Sequence, residues 1–263
     1  MSPTQHVRFE RKQDLAVVTL ANPDFNRLNR AVLSGLQQAL QHIRQPGVRA
    51  VLLKADGPVF SYGADVKDLF VDLPAAELPA VLRGYVELIG AIESLPVPTV
   101  AAVHGVCSSG GLELALAFAH LWAAAGTKIG FMEASIAIPP LAGGVQRVAA
   151  RAGSTRAFEV ATAGRLYEAE TFERWNIVSR IVDGATLHAQ AEAFALKLAA
   201  GPTLAFAAAK RLLRQADVGG VAAADRILLD TVVPVLGSDD ARNAAAALVA
   251  AGPSGAAPPF TGR

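Results

Sequence analysis

Residues 97–116, VPTVAAVHGVCSSGGLELAL, run from a β-branched segment through glycine-punctuated turns into a helix whose one acid, Glu113, sits among apolar neighbours. Burying a lone ionised carboxylate costs several kcal/mol or drives its pKa upward, so such a residue answers to a partner or to a reaction. Gly110 and Gly111 stand just ahead of that helix. Backbone N–H groups at a helix start lack intrahelical acceptors and favour negative charge, so the pair can offer a donor to an oxyanion beside the carboxylate.

Outward from this stretch, residues 15–21 (LAVVTLA), 48–55 (VRAVLLKA) and 97–103 (VPTVAAV) read as short strands buried on both faces. Helical patterns at 30–43 and 79–95 lie between them, so the expected class is α/β with mostly parallel pairing and right-handed crossovers. The apolar run 114–126 falls short of the roughly 20 residues that span a bilayer and is expected to be a buried helix. From about Gly201 the chain turns alanine-rich and helical, which suits a cover over the core or a neighbouring subunit, and residues 251–263 read as irregular.

With 52% hydrophobic and 18% charged residues over 263 positions, the composition describes a packed globular core rather than disorder. A formal net charge of +1 supplies no electrostatic reason to expect nucleic acid or an anionic membrane as partner. The single Cys107 cannot form an internal disulfide and reads as a buried thiol, and no His/Cys spacing suggests a metal. The N-terminal segment has no apolar core of signal-peptide length, so the cytoplasm is the expected location.

Two strand-to-helix units look alike. One passes through Phe60-Ser61-Tyr62-Gly63-Ala64-Asp65, the other through Ser108-Ser109-Gly110-Gly111. If they stack as an internal repeat, the N–H groups of Ala64 and Gly110 meet at one sheet end and converge on one oxygen. A second acid in apolar company, Glu133, precedes the loop Ile138-Pro139-Pro140-Leu141-Ala142-Gly143-Gly144 and a helix from about Val145.

Three segments, VFSYGADVKDL, HGVCSSGGLELAL and FMEASIAIPPLAGGVQRV, occur in the order and spacing that resemble the crotonase family, also called the enoyl-CoA hydratase/isomerase family. The resemblance covers nearly the whole chain. It implies a spiral of repeated β-β-α units over 1–200 carrying the active site, with a helical region over 201–263 for oligomerisation or cover. It also implies an oxyanion hole made by the N–H groups of Ala64 and Gly110, and an acid/base pair of Glu113 and Glu133. Tyr62, Asp65, Leu141, Gly143 and Arg27 are the expected substrate-binding residues. The expected partner is an acyl-CoA thioester, with coenzyme A entering as part of the substrate and no separate cofactor or metal, and the expected assembly is a homotrimer or a hexamer. Relatives that mainly shift double bonds generally lose the acid at the Glu113 position, so the presence of both favours an enoyl-CoA hydratase. Other reactions of the family (isomerase, hydrolase, decarboxylase, hydratase-lyase) or a catalytically decayed CoA-thioester binder are the alternatives.

This chain departs from the resemblance at several points. Asp24 stands where a basic residue helps hold CoA phosphates, with Arg27 nearby as a replacement. Asn243-Ala244 and Leu248 replace a Glu-Gly pair and an aromatic; Leu141 replaces a glycine, Tyr62 a small residue and Met132 a proline. Blander readings exist for the same residues. Glu113 could serve only the helix dipole, worth roughly 0.3 to 1 kcal/mol, and Glu133 could be half of a buried ion pair with Arg147 or Lys128. Asp65 reads more readily as a helix N-cap than as an acid of the reaction. His104 reads as a satisfied core histidine, Asn176 as a left-handed helix cap, and Lys210 and Arg211 as solvent-facing.

Overall fold

The computed structural model describes residues 6–252 and 258–263. A hairpin opens the chain: β1 (Val7–Lys12) pairs antiparallel with β2 (Leu15–Leu20), turning at Gln13, which takes φ 56°. The edge strand β1 carries too many charges to read as a buried strand, and the sequence reading missed it. All six residues of β2 are buried, because its alternate side chains serve two cores. Ala16, Val18 and Leu20 pack on one face and Leu15 and Val17 on the other.

Helix α1 (Arg30–Ile43) starts at Asn29, whose side-chain oxygen accepts the Val32 N–H at 2.9 Å. Its buried residues, Val32, Leu33, Leu36, Ala39, Leu40 and Ile43, recur at helical spacing and close the first core. The chain continues through β3 (Ala50–Ala55), a π-helical turn (Lys67–Val71), α2 (Leu78–Glu93), β4 (Thr99–Val103), β5 (Val106–Ser108) and α3 (Gly110–Leu116). Then come β6 (His120–Ala124), β7 (Lys128–Gly130), a 3-10 turn (Glu133–Ile136), α4 (Gly144–Ala152), α5 (Ser154–Ala163), β8 (Tyr167–Glu168), α6 (Ala169–Arg174) and β9 (Arg180–Val182).

The six-stranded sheet runs β1-β2-β3-β4-β6-β9 and is parallel except for β1, while β5-β7-β8 form a smaller sheet. Successive turns of the chain thus leave one strand in the large sheet (β4, then β6) and the next in the small one (β5, then β7). An isolated bridge between Ser61 and Cys107 adds the preceding turn to the small sheet. This is the expected coil of β-β-α units. Helix α7 (Leu187–Ala199) covers the other face of the large sheet, bringing Leu187, Ala191, Ala195 and Ala199 against Leu52, Val100, Ala102 and Trp122.

The run 114–126 is not one buried helix. Helix α3 stops at Leu116, the Ala119 N–H is taken by Thr99 Oγ1 at 2.9 Å, and His120–Ala124 enters the large sheet as β6 between β4 and β9. An interior parallel strand and a buried helix are equally apolar, so periodicity alone does not separate them. Leu121 and Ala123 face one core, Trp122 and Ala124 the other, which is the period-2 signature hidden in an alanine-rich run.

The C-terminal region is helical: α8 (Thr203–Gly219), α9 (Val221–Arg226), α10 (Leu228–Leu236) and α11 (Asp239–Ala251). Lys210 departs from its expected solvent-facing role. It is half-buried and its Nζ donates to Leu95 O (2.8 Å) and Val97 O (3.1 Å), stitching α8 to the segment between α2 and β4, and burial lowers its pKa to about 8. Arg211 is exposed. Part of the tail expected to be irregular, 253–257, lies outside the described residues; residues 258–263 form no regular element.

Candidate active site

Two turns meet at one end of the small sheet. In the first, Leu28 and Ala64 form a parallel bridge in which the Leu28 N–H donates to Gly63 O (2.7 Å) and Leu28 O accepts the Asp65 N–H (3.1 Å). That pairing uses the groups on either side of Ala64, so the N–H of Ala64 itself points the other way. The turn is braced by Ser61, whose Oγ accepts the Gly63 N–H (3.0 Å) and donates to Asn26 O (2.7 Å). In the second, Gly110 is the first residue of α3 and its N–H has no intrahelical acceptor. The two turns are packed so closely that a methyl on Gly110 would sit 3.6 Å from the Ala64 nitrogen, and one on Gly111 would strike Ser61 Cβ at 2.6 Å. Ala64 and Gly110 both line a cavity of about 180 Å³.

Glu113 and Glu133 line the same cavity, at 2% and 7% exposure. One Glu113 oxygen, Oε1, accepts the N–H groups of Ala142 (2.7 Å) and Gly144 (2.9 Å), so the 138–144 loop folds over the carboxylate. Gly144 has no room for a side chain: a Cβ would meet Phe131 at 2.5 Å and Glu113 Cγ at 2.9 Å. Gly143 takes φ 89°, and Arg147 grips the loop through the carbonyls of Ala142 (3.3 Å) and Gly143 (3.2 Å). Burial raises the Glu113 pKa from the ordinary 4.5 to about 7, against the pull of the Gly144 and Ala142 amides, and the nearby Glu133 charge adds to the rise.

Glu133 begins a 3-10 turn and accepts the Ser109 hydroxyl at Oε2 (3.0 Å). Burial raises its pKa too, with the Ser109 hydrogen bond pulling the other way. The ion-pair alternatives fall away. Arg147 pairs with Glu93 at 2.7 Å and Lys128 with Glu168, so neither cation serves Glu133. Both buried carboxyls thus face one cavity, and among the described residues neither is ion-paired.

The remaining expected site residues divide. Arg27, Tyr62 and Leu141 line the cavity, while Asp65 and Gly143 do not. Asp65 accepts the Asp68 N–H at 3.0 Å and so caps the π-helical turn, as its blander reading held; Gly143 supplies backbone shape behind Glu113. Tyr62 is 39% exposed at the cavity mouth, edge-on to Phe25 at 5.3 Å, and Arg27 lies 5.9 Å over its ring while pairing with Asp24 at 3.4 Å. His104 is only half satisfied: Nε2 lies 2.9 Å from Gly57 O, and Nδ1 is buried with no partner among the described residues. Asn176 adopts φ 60° beyond α6, as read. Cys107 is fully buried, and burial pushes its thiol well above the usual range.

Four contributors were missed from sequence. The N–H groups of Ala142 and Gly144 hold Glu113, a role legible only as a glycine doublet. The Ser109 hydroxyl holds Glu133. Tyr85, on the buried stripe of α2, lines the cavity and donates its hydroxyl to Gly110 O at 2.5 Å; on an apolar helix face such a residue passes for core.

A model described as enoyl-CoA hydratase/isomerase matches residues 10–226. The chain belongs to the enoyl-CoA hydratase/isomerase family. It is 37% identical over 155 residues to a protein of Bacillus subtilis (strain 168) named "Probable enoyl-CoA hydratase", covering 58% of this chain and 59% of that one. The match therefore spans less than two thirds of that relative. It is 33% identical over 195 residues to the enoyl-CoA isomerase/hydratase fer4 of Mycosarcoma maydis, covering 70% and 71%. The crystal structure of an enoyl-CoA hydratase from Bacillus anthracis superposes with a TM-score of 0.91 at 25% identity over 98% of this chain and all of that one (100%). Among the described residues no helix is long and apolar enough to cross a membrane. Asn243 and Leu248, expected from the resemblance as points of departure, are exposed on α11.

Proposed function

We propose that the protein is an enoyl-CoA hydratase. The observation that carries this reading is the pairing of two buried carboxyls, Glu113 and Glu133, in the cavity lined by Ala64 and Gly110, the two residues whose N–H groups the turns leave free. Adding water across an α,β-unsaturated thioester places negative charge on the carbonyl oxygen as an enolate forms, and two preorganised N–H dipoles stabilise that charge more than the ground state. One carboxylate removes a proton from the water attacking the β-carbon. The other carboxyl delivers a proton to the α-carbon, so water's oxygen and one hydrogen end on the β-carbon and one hydrogen on the α-carbon. The pair finishes with its proton on the opposite carboxyl and is reset by exchange. Coenzyme A is required only as part of the substrate.

Leu141 favours a second reading. Its side chain lines the cavity with both acids and reduces the room for water, which suits a double-bond isomerase. A hydration assay with crotonyl-CoA and longer enoyl-CoA thioesters separates the two: turnover is expected, whereas no hydration of any of them beside efficient isomerisation of a 3-enoyl-CoA overturns the hydratase reading. We further propose a homotrimer or a hexamer of two trimers. Leu229, Val233 and Leu236 of α10 are 71%, 58% and 65% exposed in the single chain, an apolar face that association would bury. Sedimentation showing a stable monomer at micromolar concentration contradicts it.

A further inference from the structure

Ser109 holds an unusual backbone. Its φ of 53° and ψ of −129° lie where glycine is at ease and a side chain is strained, although two glycines come directly after it in the sequence. Strain of this kind persists where the surroundings enforce it and is concentrated at functional sites. Here the side chain that causes it is fully engaged. Ser109 Oγ accepts the Met132 N–H at 3.2 Å, which directs the hydroxyl hydrogen to its other neighbour, Glu133 Oε2, at 3.0 Å. The backbone of the same residue ties both acids' supports together: its N–H donates to Gly130 O (3.0 Å) at the end of β7, and its C=O accepts the Glu113 N–H (3.0 Å). Its Cβ also fills the space beside Gly63, where a methyl would come within 2.6 Å of it.

We infer that Ser109 is a positioning residue whose hydroxyl aims the Glu133 carboxyl into the cavity and favours its charged form, a role that justifies a strained serine where glycine would fit. This rests on the reading of Glu133 as half of the acid/base pair. The titratable groups lining the cavity with Glu133 are Glu113 on α3, the Tyr85 phenol on α2, and Arg27 and Tyr62 from the two segments that meet at Ala64; burial keeps the Tyr85 phenol protonated, and Arg27 pairs with Asp24. Arg147 and Lys128 are occupied elsewhere.

Ser109→Ala removes the hydroxyl and keeps the strain; Ser109→Gly removes both. Thermal unfolding is expected to place Ser109→Gly at or above the wild-type Tm and Ser109→Ala below Ser109→Gly. Carbon-13 NMR titration of the Glu133 carboxyl in the free protein is expected to show a higher apparent pKa in both variants, since a donor to the carboxylate has been lost. With crotonyl-CoA, kcat is expected to fall about ten- to a hundredfold with KM little changed, and the pH profile of kcat/KM to move to higher pH. An unmoved Glu133 titration in both variants overturns the inference, as does a Ser109→Gly protein less stable than Ser109→Ala. The site reading fails separately, through a Glu133→Gln protein that hydrates crotonyl-CoA at the wild-type rate.

Discussion

At Glu113 three influences compete, and their balance sets how the residue responds to pH. Burial favours the neutral acid, the Ala142 and Gly144 amides favour the carboxylate, and Glu133 disfavours a second charge; the net result is a pKa of about 7 against an ordinary 4.5. A raised carboxyl pKa means the unfolded chain releases its proton first as pH climbs. Folding is therefore unpenalised below about pH 4.5, loses stability between there and about pH 7, and carries the full cost above it, roughly 3 kcal/mol for a shift of this size. Glu113→Gln cannot ionise yet keeps an oxygen for the two amides. Urea unfolding across pH is expected to show the variant gaining on wild type from pH 5 to 7 and holding that gain at pH 8. Parallel stability curves at all pH values contradict the assignment. The apolar setting of this acid is legible in the sequence, because Leu112 and Leu114 flank it. Its backbone partners are not, because an amide donor leaves no residue-type signature.

At the scale of elements, the loop between the 3-10 turn and α4 is shaped by one carboxylate. Gly144→Ala places a methyl against Phe131 and Glu113 Cγ, and the overpacking is expected to cost about 1–3 kcal/mol, read as a lowered urea midpoint with unchanged slope and an activity loss larger than the stability loss explains. In helix α1, Asn29→Ala removes the acceptor of the Val32 N–H and is expected to cost about 1 kcal/mol in urea unfolding. Helices with a clear apolar stripe and a cap, such as α1, were legible from their spacing. The 114–126 run was not, since Thr99, on the neighbouring strand β4, ends the helix and the large sheet takes up His120–Ala124. The two-turn stacking at Ala64 and Gly110 was legible as a weak repeat, and its tightness comes from Ser61 and Gly111 pressing together.

Across the whole molecule, polar side chains tie the core to the helical C-terminal region and that region to the last residues of the chain. Arg49, beside β3, donates to Thr203 Oγ1 (2.9 Å), Gly201 O (2.7 Å) and Phe260 O (2.9 Å), and Asp240 on α11 accepts the N–H groups of Thr261 and Gly262, both at 2.7 Å. Arg49→Ala removes the guanidinium donors from three part-buried acceptors and is expected to cost about 1–3 kcal/mol in urea unfolding while leaving KM for the acyl-CoA unchanged. Such long-range ties were invisible in the sequence, where Arg49 is one of many surface-like charges. The family's three segments were visible because the site is built from contiguous turns. In the proposed reaction Glu113 and Glu133 act together on an enoyl thioester. Turnover of crotonyl-CoA in oxygen-18 water separates the outcomes: wild type is expected to incorporate the label at the β-carbon, and Glu113→Gln and Glu133→Gln, both folded, to lose that incorporation by several orders of magnitude. Absence of label in the wild-type product, or undiminished incorporation by either variant, contradicts it.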